Sequence, residues 1–342
     1  MSSGMDEEEA MMSMQQRHLY LILDDWKHGY SYRKIDLSSH ASGLIPDEGI
    51  ARGAATCLPA PFFRLKAKHG QPFYFTASGS KIWGMHPKEE GSSYDNGAAC
   101  FDVHAETFAF VPRYTDQMRP IYFHIGDKLF ALGCLSLQSL DIDEKKHPTG
   151  VASSWSNPLD VPVDSIHAIS HVVFPDGRTI FVSVGFVPGE WVLPFHGRGY
   201  FDGKLNTWIG LSLYREKPGH ICSCDLASSS PASQHSPDVK YTKDSLFTMD
   251  PDDKHLGATL VYLGRQGSKF CLVECITTND GYERRCNFGE ANTDDYKLRL
   301  TTFYLEYNSN GDRMIGHRWV RYYKMPKHVS RLACHYPAAF WM

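Results

Sequence analysis

One phrase occurs twice in this chain, one hundred residues apart in number. Phe101-Asp102 is followed by four residues and then Thr107-Phe108; Phe201-Asp202 is followed by four residues and then Thr207-Trp208. An aspartate that opens a turn can hold nearby backbone N–H groups, and the aromatic six positions on then sits on the returning strand; Asp102 and Asp202 are expected to hold equivalent turns in different blades, with Phe108 and Trp208 buried between sheets. A second phrase recurs as Gly79-Ser80-Lys81-Ile82-Trp83, Gly126-Asp127-Lys128-Leu129-Phe130 and Gly267-Ser268-Lys269-Phe270-Cys271, with a looser copy at Gly177-Arg178-Thr179-Ile180-Phe181. The steps between these glycines are 47, 51 and 90 residues, the last about twice a single period. Strand-and-turn repetition at roughly 40–50 residues predicts a β-propeller.

Composition agrees with that architecture. The 342 residues include 28 Gly and 19 Pro, and aromatics make up 13 %, a balance that favours short strands and turns over helices. Lys and Arg number 35 against 39 Asp and Glu, so no basic excess points to a nucleic-acid backbone as partner. No apolar run reaches the roughly 18 residues of a membrane span. Met1–Gln16 is acidic and methionine-rich, without the basic start and apolar stretch of a secretory signal. Nine cysteines at irregular spacing show no disulfide framework. These features predict a cytoplasmic or nuclear protein.

Residues 1–16 read as a disordered acidic tail, because Asp6-Glu7-Glu8-Glu9 repel one another with little apolar surface to bury; the alternative is a short helix over Glu8–Gln16. Residues 17–342 read as one domain. His18–Asp24 is a compact apolar strand, and Tyr30–Leu37 returns beside it. From Phe62 onward, hairpins are expected over 73–85, 98–111, 121–132, 167–184, 199–213, 256–277 and 298–324, with a further strand at 221–226. Ser38–Pro61, Leu140–Leu159, Ser228–Pro237 and Asn279–Asp295 read as long loops. The hairpins imply an all-β fold: a single β-propeller of about six blades. The isolated first strand and the last strands, near Thr301–Tyr323, are expected to share a closing blade, with Phe340 and Trp341 packed under it. That arrangement would remove free sheet edges.

The Asp-to-aromatic spacing of six, followed by a Gly-x-Lys-aliphatic-aromatic strand, resembles a degenerate kelch repeat, although the Gly-Gly doublet usual in kelch blades is missing. A second resemblance spans Arg17 to Met342. It rests on Arg17-His18-Leu19-Tyr20-Leu21-Ile22-Leu23-Asp24-Asp25-Trp26, Tyr200-Phe201-Asp202 through Trp208-Ile209-Gly210-Leu211, His255-Leu256-Gly257-Ala258-Thr259-Leu260-Val261-Tyr262, and Ala339-Phe340-Trp341-Met342. These segments resemble a large grass-specific family of unknown function. The resemblance implies kelch-like blades and a plant source, and brings no assigned chemistry.

Candidate chemical groups each have a structural counterpart. His167 and His171 stand four apart, but on a strand that spacing spans about 13 Å and cannot serve one ion. His220, Cys222 and Cys224 alternate on one strand face, about 6.6–7 Å between neighbours, so three-point chelation needs a bulge. Cys271, Cys275 and Cys286 lack a paired C-x-x-C and read as small core residues. Asp24 and Asp25 are adjacent, point to opposite faces of a strand, and cannot flank a glycosidic bond. Trp191, Trp208 and Trp319 read as packing between blades rather than a sugar platform. Propeller oxidases that resemble kelch proteins place tyrosine and histidine around copper, but no motif selects any of the 18 Tyr and 17 His here. No nucleophile elbow, phosphate loop or dinucleotide fingerprint is present.

The expectation is therefore a non-enzymatic, monomeric propeller without metal or cofactor that binds an unidentified protein through the one face expected to carry its four long loops. Kelch-like chains often form the substrate-binding half of ubiquitin ligases. Sixteen residues before the first strand are too few for a helical adaptor-recruiting domain of about 40–50 residues, so any such role is expected to run through a partner. The alternative is a propeller that binds or acts on carbohydrate in its central depression.

Overall fold

The computed structural model describes residues 17–38, 45–46, 55–87, 97–114, 119–142, 154–185, 191–226, 237–248, 250–264, 268–278, 296–308 and 312–342. Leu19–Trp26 (β1) sets the architecture, because its residues 19–23 are almost wholly buried. A strand that is apolar on both faces needs cover on both. Its edges are paired by Ala338–Trp341 (β24) and by Gly29–Ile35 (β2), both antiparallel, and Phe63–Lys66 (β5) completes the first sheet. Leu19, Leu21 and Leu23 face one neighbouring sheet, where they meet Val261, Val273 and Leu298. Tyr20 and Ile22 face the other, where they meet Phe75, Ile82 and Phe101. The period-2 alternation of a strand thus places one sheet between two others.

Four further sheets continue the arrangement. The second orders Phe75–Ser78 (β6), Lys81–Gly84 (β7), Ala98–Asp102 (β8) and Thr107–Val111 (β9). The third orders Ile121–Ile125 (β10), Lys128–Leu132 (β11), Cys134–Asp141 (β12) and Leu159–Asp164 (β13). The fourth runs from Ile180–Val184 (β15) and Ala168–Val173 (β14) to Gly197–Asp202 (β16), Thr207–Leu211 (β17), Ile221–Cys224 (β18) and Val239–Tyr241 (β19). The fifth holds Asp253–Gly264 (β20), Lys269–Thr278 (β21), Tyr296–Tyr307 (β22) and Arg313–Lys324 (β23). The short strands Ile45–Pro46 (β3) and Thr56–Cys57 (β4), from the first sheet's own connection, pair with β23. Among the described residues one α-helix, Arg331–His335 (α1), is present, N-capped by Ser330.

This is an all-β propeller of five sheets, where the sequence predicts about six blades. The difference lies in the fourth sheet. β14 and β16 pair in parallel through Ser170↔Gly197, His171↔Arg198 and Val172↔Gly199, joining a two-stranded hairpin to a four-stranded unit. Phe195 wedges beside this joint. A Cβ on Gly199 or Gly210 would lie 2.6 or 2.3 Å from its ring, so only glycine admits the phenyl group at those positions.

The repeated phrases fold into the turns they predict. Asp102 Oδ1 accepts from the N–H groups of His104 and Ala105, each at 3.0 Å. Asp202 Oδ1 accepts from Lys204 and Leu205 at 3.0 and 2.9 Å, and Asp176 Oδ1 from Arg178 and Thr179 at 2.9 and 3.1 Å. Glu106 and Asn206, each four residues after its aspartate, share a left-handed conformation with φ of 52° and 47°. Position in the sheet is another matter. The Asp202 turn joins the first two strands of its unit, while the Asp102 turn joins the third and fourth. Trp208 therefore sits on an interior strand and is 2 % exposed, whereas Phe108 sits on an outer edge and is 44 % exposed. The expectation that both are buried fails for Phe108.

Two other expectations need correction. The C-terminal residues do not pack under a shared blade; they are themselves its first strand, with Leu19 opposite Trp341 and Tyr20 opposite Phe340. β22 and β23 belong to a different sheet. The long connections also do not share one pole. Ile35 lies opposite Leu19 and thus beside the end of β24, Cys224 lies beside the end of β16, and Thr278 lies opposite Asp253 at the start of β20. The connection after β21 therefore leaves from the opposite pole to those after β2 and β18. The 1–16 tail and most of the four long loops lie outside the described residues.

Trp208→Ala should cost about 3–5 kcal/mol, the range for truncating a large buried aromatic. Phe108→Ala, at the matching place in the repeat, should stay within about 0.5 kcal/mol of the parent. Denaturant unfolding of both variants checks the contrast.

Candidate functional site

Most residues singled out by sequence are committed to structure. Asp24 is fully buried; it accepts from Gly70 N at 3.1 Å and Ser330 N at 2.9 Å, tying the end of β1 to the start of α1. Asp25 turns the other way, pairs with Arg33 and accepts from Ser31 Oγ at 2.5 Å. Cys222 and Cys224 face one buried cluster with Val172, Phe195 and Trp208. Burial pushes the Cys224 thiol up to about 12 and Cys222 well above its ordinary value. His220 is not with them in any chelate; its Nδ1 lies 2.8 Å from the Thr242 carbonyl. Cys271 and Cys275 are core residues, with the Cys271 thiol pushed to about 12 by burial. Cys286 lies outside the described residues. Trp191 and Trp208 join the cluster around Phe195, and Trp319 packs edge-on against Tyr304 at 5.9 Å. The three indoles form no common platform. His167 ends a 3-10 turn, while His171 lies on β14 beside Arg198.

Three other groupings come from tertiary structure. The first is a cleft of about 250 Å³ where β16, β20 and β24 begin. His196, His255 and His335 line it, with Phe247 stacked 3.7 Å from the His255 ring. Behind the ring, His255 Nδ1 is 3.0 Å from Glu274 Oε1. Glu274 is fully buried and accepts from Arg299 Nη1 at 3.0 Å through its other oxygen; Arg299 also donates to the Leu246 carbonyl at 2.6 Å. A carboxylate shared in this way fixes an imidazole's orientation.

The second is a cavity of about 190 Å³ bounded by β6, β16, β20 and β24, with Ser78, Arg198, Tyr200, Tyr262, Phe340 and Trp341 in its wall. Arg198 lies over the Tyr200 ring, 5.2 Å from its centroid. The third is an aromatic edge on the outer rim. Phe108 and Phe110 on β9 are 44 and 45 % exposed, and Phe62, just before β5, is 45 % exposed. Phe63 links them, 6.0 Å from Phe108, and Phe108 and Phe110 are 4.8 Å apart. Sequence reading missed all three groupings. The available signals were Phe108-Ala109-Phe110 on an expected strand, and an arginine set between Gly197 and Gly199.

Five sheets packed face to face define a β-propeller protein. Residues 16–323 match the model of a family described as "Protein of unknown function (DUF1668)", and the chain belongs to that family. No curated protein matches it. Among the described residues no helix is long and apolar enough to cross a membrane.

Burial gives the fold an acid limit. His86 is held at about 3 by burial, opposed by the Gln71 backbone and reinforced by the Arg113 charge. His124 and His171 are lowered to about 3 by burial first and the Arg198 charge second. Each folded-state value lies below the ordinary 6.5, so the unfolded chain takes up these protons first. Their contribution is complete above pH of about 6.5 and is lost as pH falls through about 3. Thermal unfolding followed between pH 7 and 4 should show Tm falling with acid. His86→Phe, which places a similar ring among Tyr30, Tyr74 and Phe75, should flatten that fall.

Proposed function

We propose that this protein is a non-catalytic, kelch-like propeller that binds another protein along its outer rim. The observation that carries this reading is the aromatic edge of β9. An outer strand offers unpaired backbone N–H and C=O groups, and natural sheets usually blunt such edges with charge or proline. Here alternate outward positions carry Phe108 and Phe110 instead. An added strand from a partner would gain ladder hydrogen bonds and bury the rings, the usual division between affinity and specificity in strand addition. Arg64 and Lys66, exposed on neighbouring β5, favour a partner segment that alternates apolar with acidic residues. The near-balanced charge of 35 basic and 39 acidic residues favours a protein over a nucleic acid.

Our reading places the protein in the plant cytoplasm or nucleus, as a monomer. In this reading the role is non-catalytic, and it is supported by the packing and turn contacts that occupy Asp24, Asp25, Cys222, Cys224, Cys271 and Cys275. The rim replaces the long loops as the favoured surface, since those connections leave from both poles.

Phe108→Asp combined with Phe110→Asp should abolish partner recovery and photo-crosslinking from position 109, with Tm close to the parent. Recovery of the same proteins by the double variant would sink the proposal.

The ring itself is proposed to be closed by the β1–β24 pair. β24 contacts both β6 and β20, and β3 and β4 tie the first sheet's connection to the fifth. The fourth sheet then counts as two modules fused at the β14–β16 joint. Removal of Ala339–Met342 should destabilise the fold markedly, while removal of Met1–Gln16 should leave it unchanged. Equal tolerance of both truncations in chemical unfolding would refute closure.

A further inference from the structure

The cavity between the inner strands has a chemistry that the rim does not use. We propose that it binds a small aromatic carboxylate, with the carboxylate on the Arg198 guanidinium and the ring against Tyr200, Tyr262, Phe340 and Trp341.

Arg198 is the first support. It is exposed to the cavity, and among the described residues it makes no ion pair; its contact is with the Tyr200 ring. A guanidinium stacked on an aromatic face keeps its in-plane donors available, and two of them match the spacing of carboxylate oxygens. Its positive charge is felt by His124 on β10 and His171 on β14, which it disfavours from protonation beyond the effect of burial. Arg198 thus brings a positive charge to the cavity, and no carboxylate among the described residues forms an ion pair with it.

The walls select a ring. Tyr200 and Tyr262 lie 6.0 Å apart at 35°, and Tyr200 is pinned by its hydroxyl to the Leu260 carbonyl at 3.0 Å. Phe340 and Trp341 complete the aromatic lining. Size narrows the choice further. The volume of about 190 Å³ compares with the roughly 150 Å³ cavity that accepts benzene. Benzoate, a benzene ring plus one carboxylate, is the matching scale.

The probe is benzoate, titrated into the full chain by calorimetry and by ¹⁵N-indole NMR. Benzoate should bind and shift the Trp341 indole signal. Acetate, which lacks the ring, and benzyl alcohol, which lacks the charge, should each bind at least about tenfold more weakly, the scale of a charged hydrogen-bonded pair. Arg198→Met should weaken benzoate by about the same factor with Tm unchanged. Arg198→Lys keeps the charge without the planar fork and should fall between the two, which also covers the case in which Arg198→Met fails to fold. No binding by the parent up to the solubility limit of benzoate overturns the proposal, as does parent-like binding by either variant. The Phe108→Asp, Phe110→Asp double variant should bind benzoate normally, so failure at the rim and failure in the cavity are separable.

Discussion

Everything in this structure depends on covering β1. Five consecutive residues, Leu19 to Leu23, are buried, and the first four are paired on both edges. Such a strand is stable only as an interior member of a sheet that itself lies between two others. Its partner β24 comes from the far end of the chain, so the first and last strands are coupled by backbone hydrogen bonds and not by side-chain packing alone. β24 in turn contacts β6 and β20, and three of its four residues, Ala339, Phe340 and Trp341, supply part of the cavity wall around Arg198. Stability and the candidate ligand site therefore share a strand.

The aspartate turns act locally and uniformly. In each, one carboxylate oxygen collects two backbone N–H groups two and three residues ahead, which satisfies donors that a tight connection would otherwise leave unpaired. Serines then link turns to one another: Ser80 Oγ donates to Asp102 within one sheet, and Ser268 Oγ donates to Asp202 across two sheets, both at 2.9 Å. The same chemistry serves a hairpin in one case and a contact between neighbouring units in the other. The buried Glu274–Arg299 pair plays a comparable part in the fifth sheet, where it also orients His255 toward the cleft.

Function separates from this scaffold by position. Inner strands bring Arg198, Tyr200, Tyr262 and Trp341 to one cavity, although they lie up to 143 positions apart, Arg198 to Trp341. Outer strands bring Phe62, Phe108 and Phe110 to one rim. Neither grouping strains the other, because each unit's inner and outer strands are separated by its middle ones. The proposed axial ligand and the proposed rim partner therefore occupy separate parts of the propeller.

The amino-acid order by itself determined the local structure. Asp-to-aromatic spacing specified the turns at 102 and 202, because an Asx contact needs only residues two and three positions ahead. Gly79, Gly126 and Gly177 marked hairpins through their positive φ of 57–60°. Alternation placed the strands at 98–111, 121–132 and 207–211 to the residue or nearly so. What only the tertiary structure decided is where each unit stands in a sheet. That assignment buries Trp208 and exposes Phe108 from the same phrase, fuses the β14 hairpin to β16, and makes Ala338–Trp341 a strand instead of a packed tail. Arg198 lies just before the strand expected from Gly199, and only the structure places it on inner strand β16. Pairing between distant strands depends on which faces remain uncovered once neighbours have packed, and no local pattern in the chain encodes that.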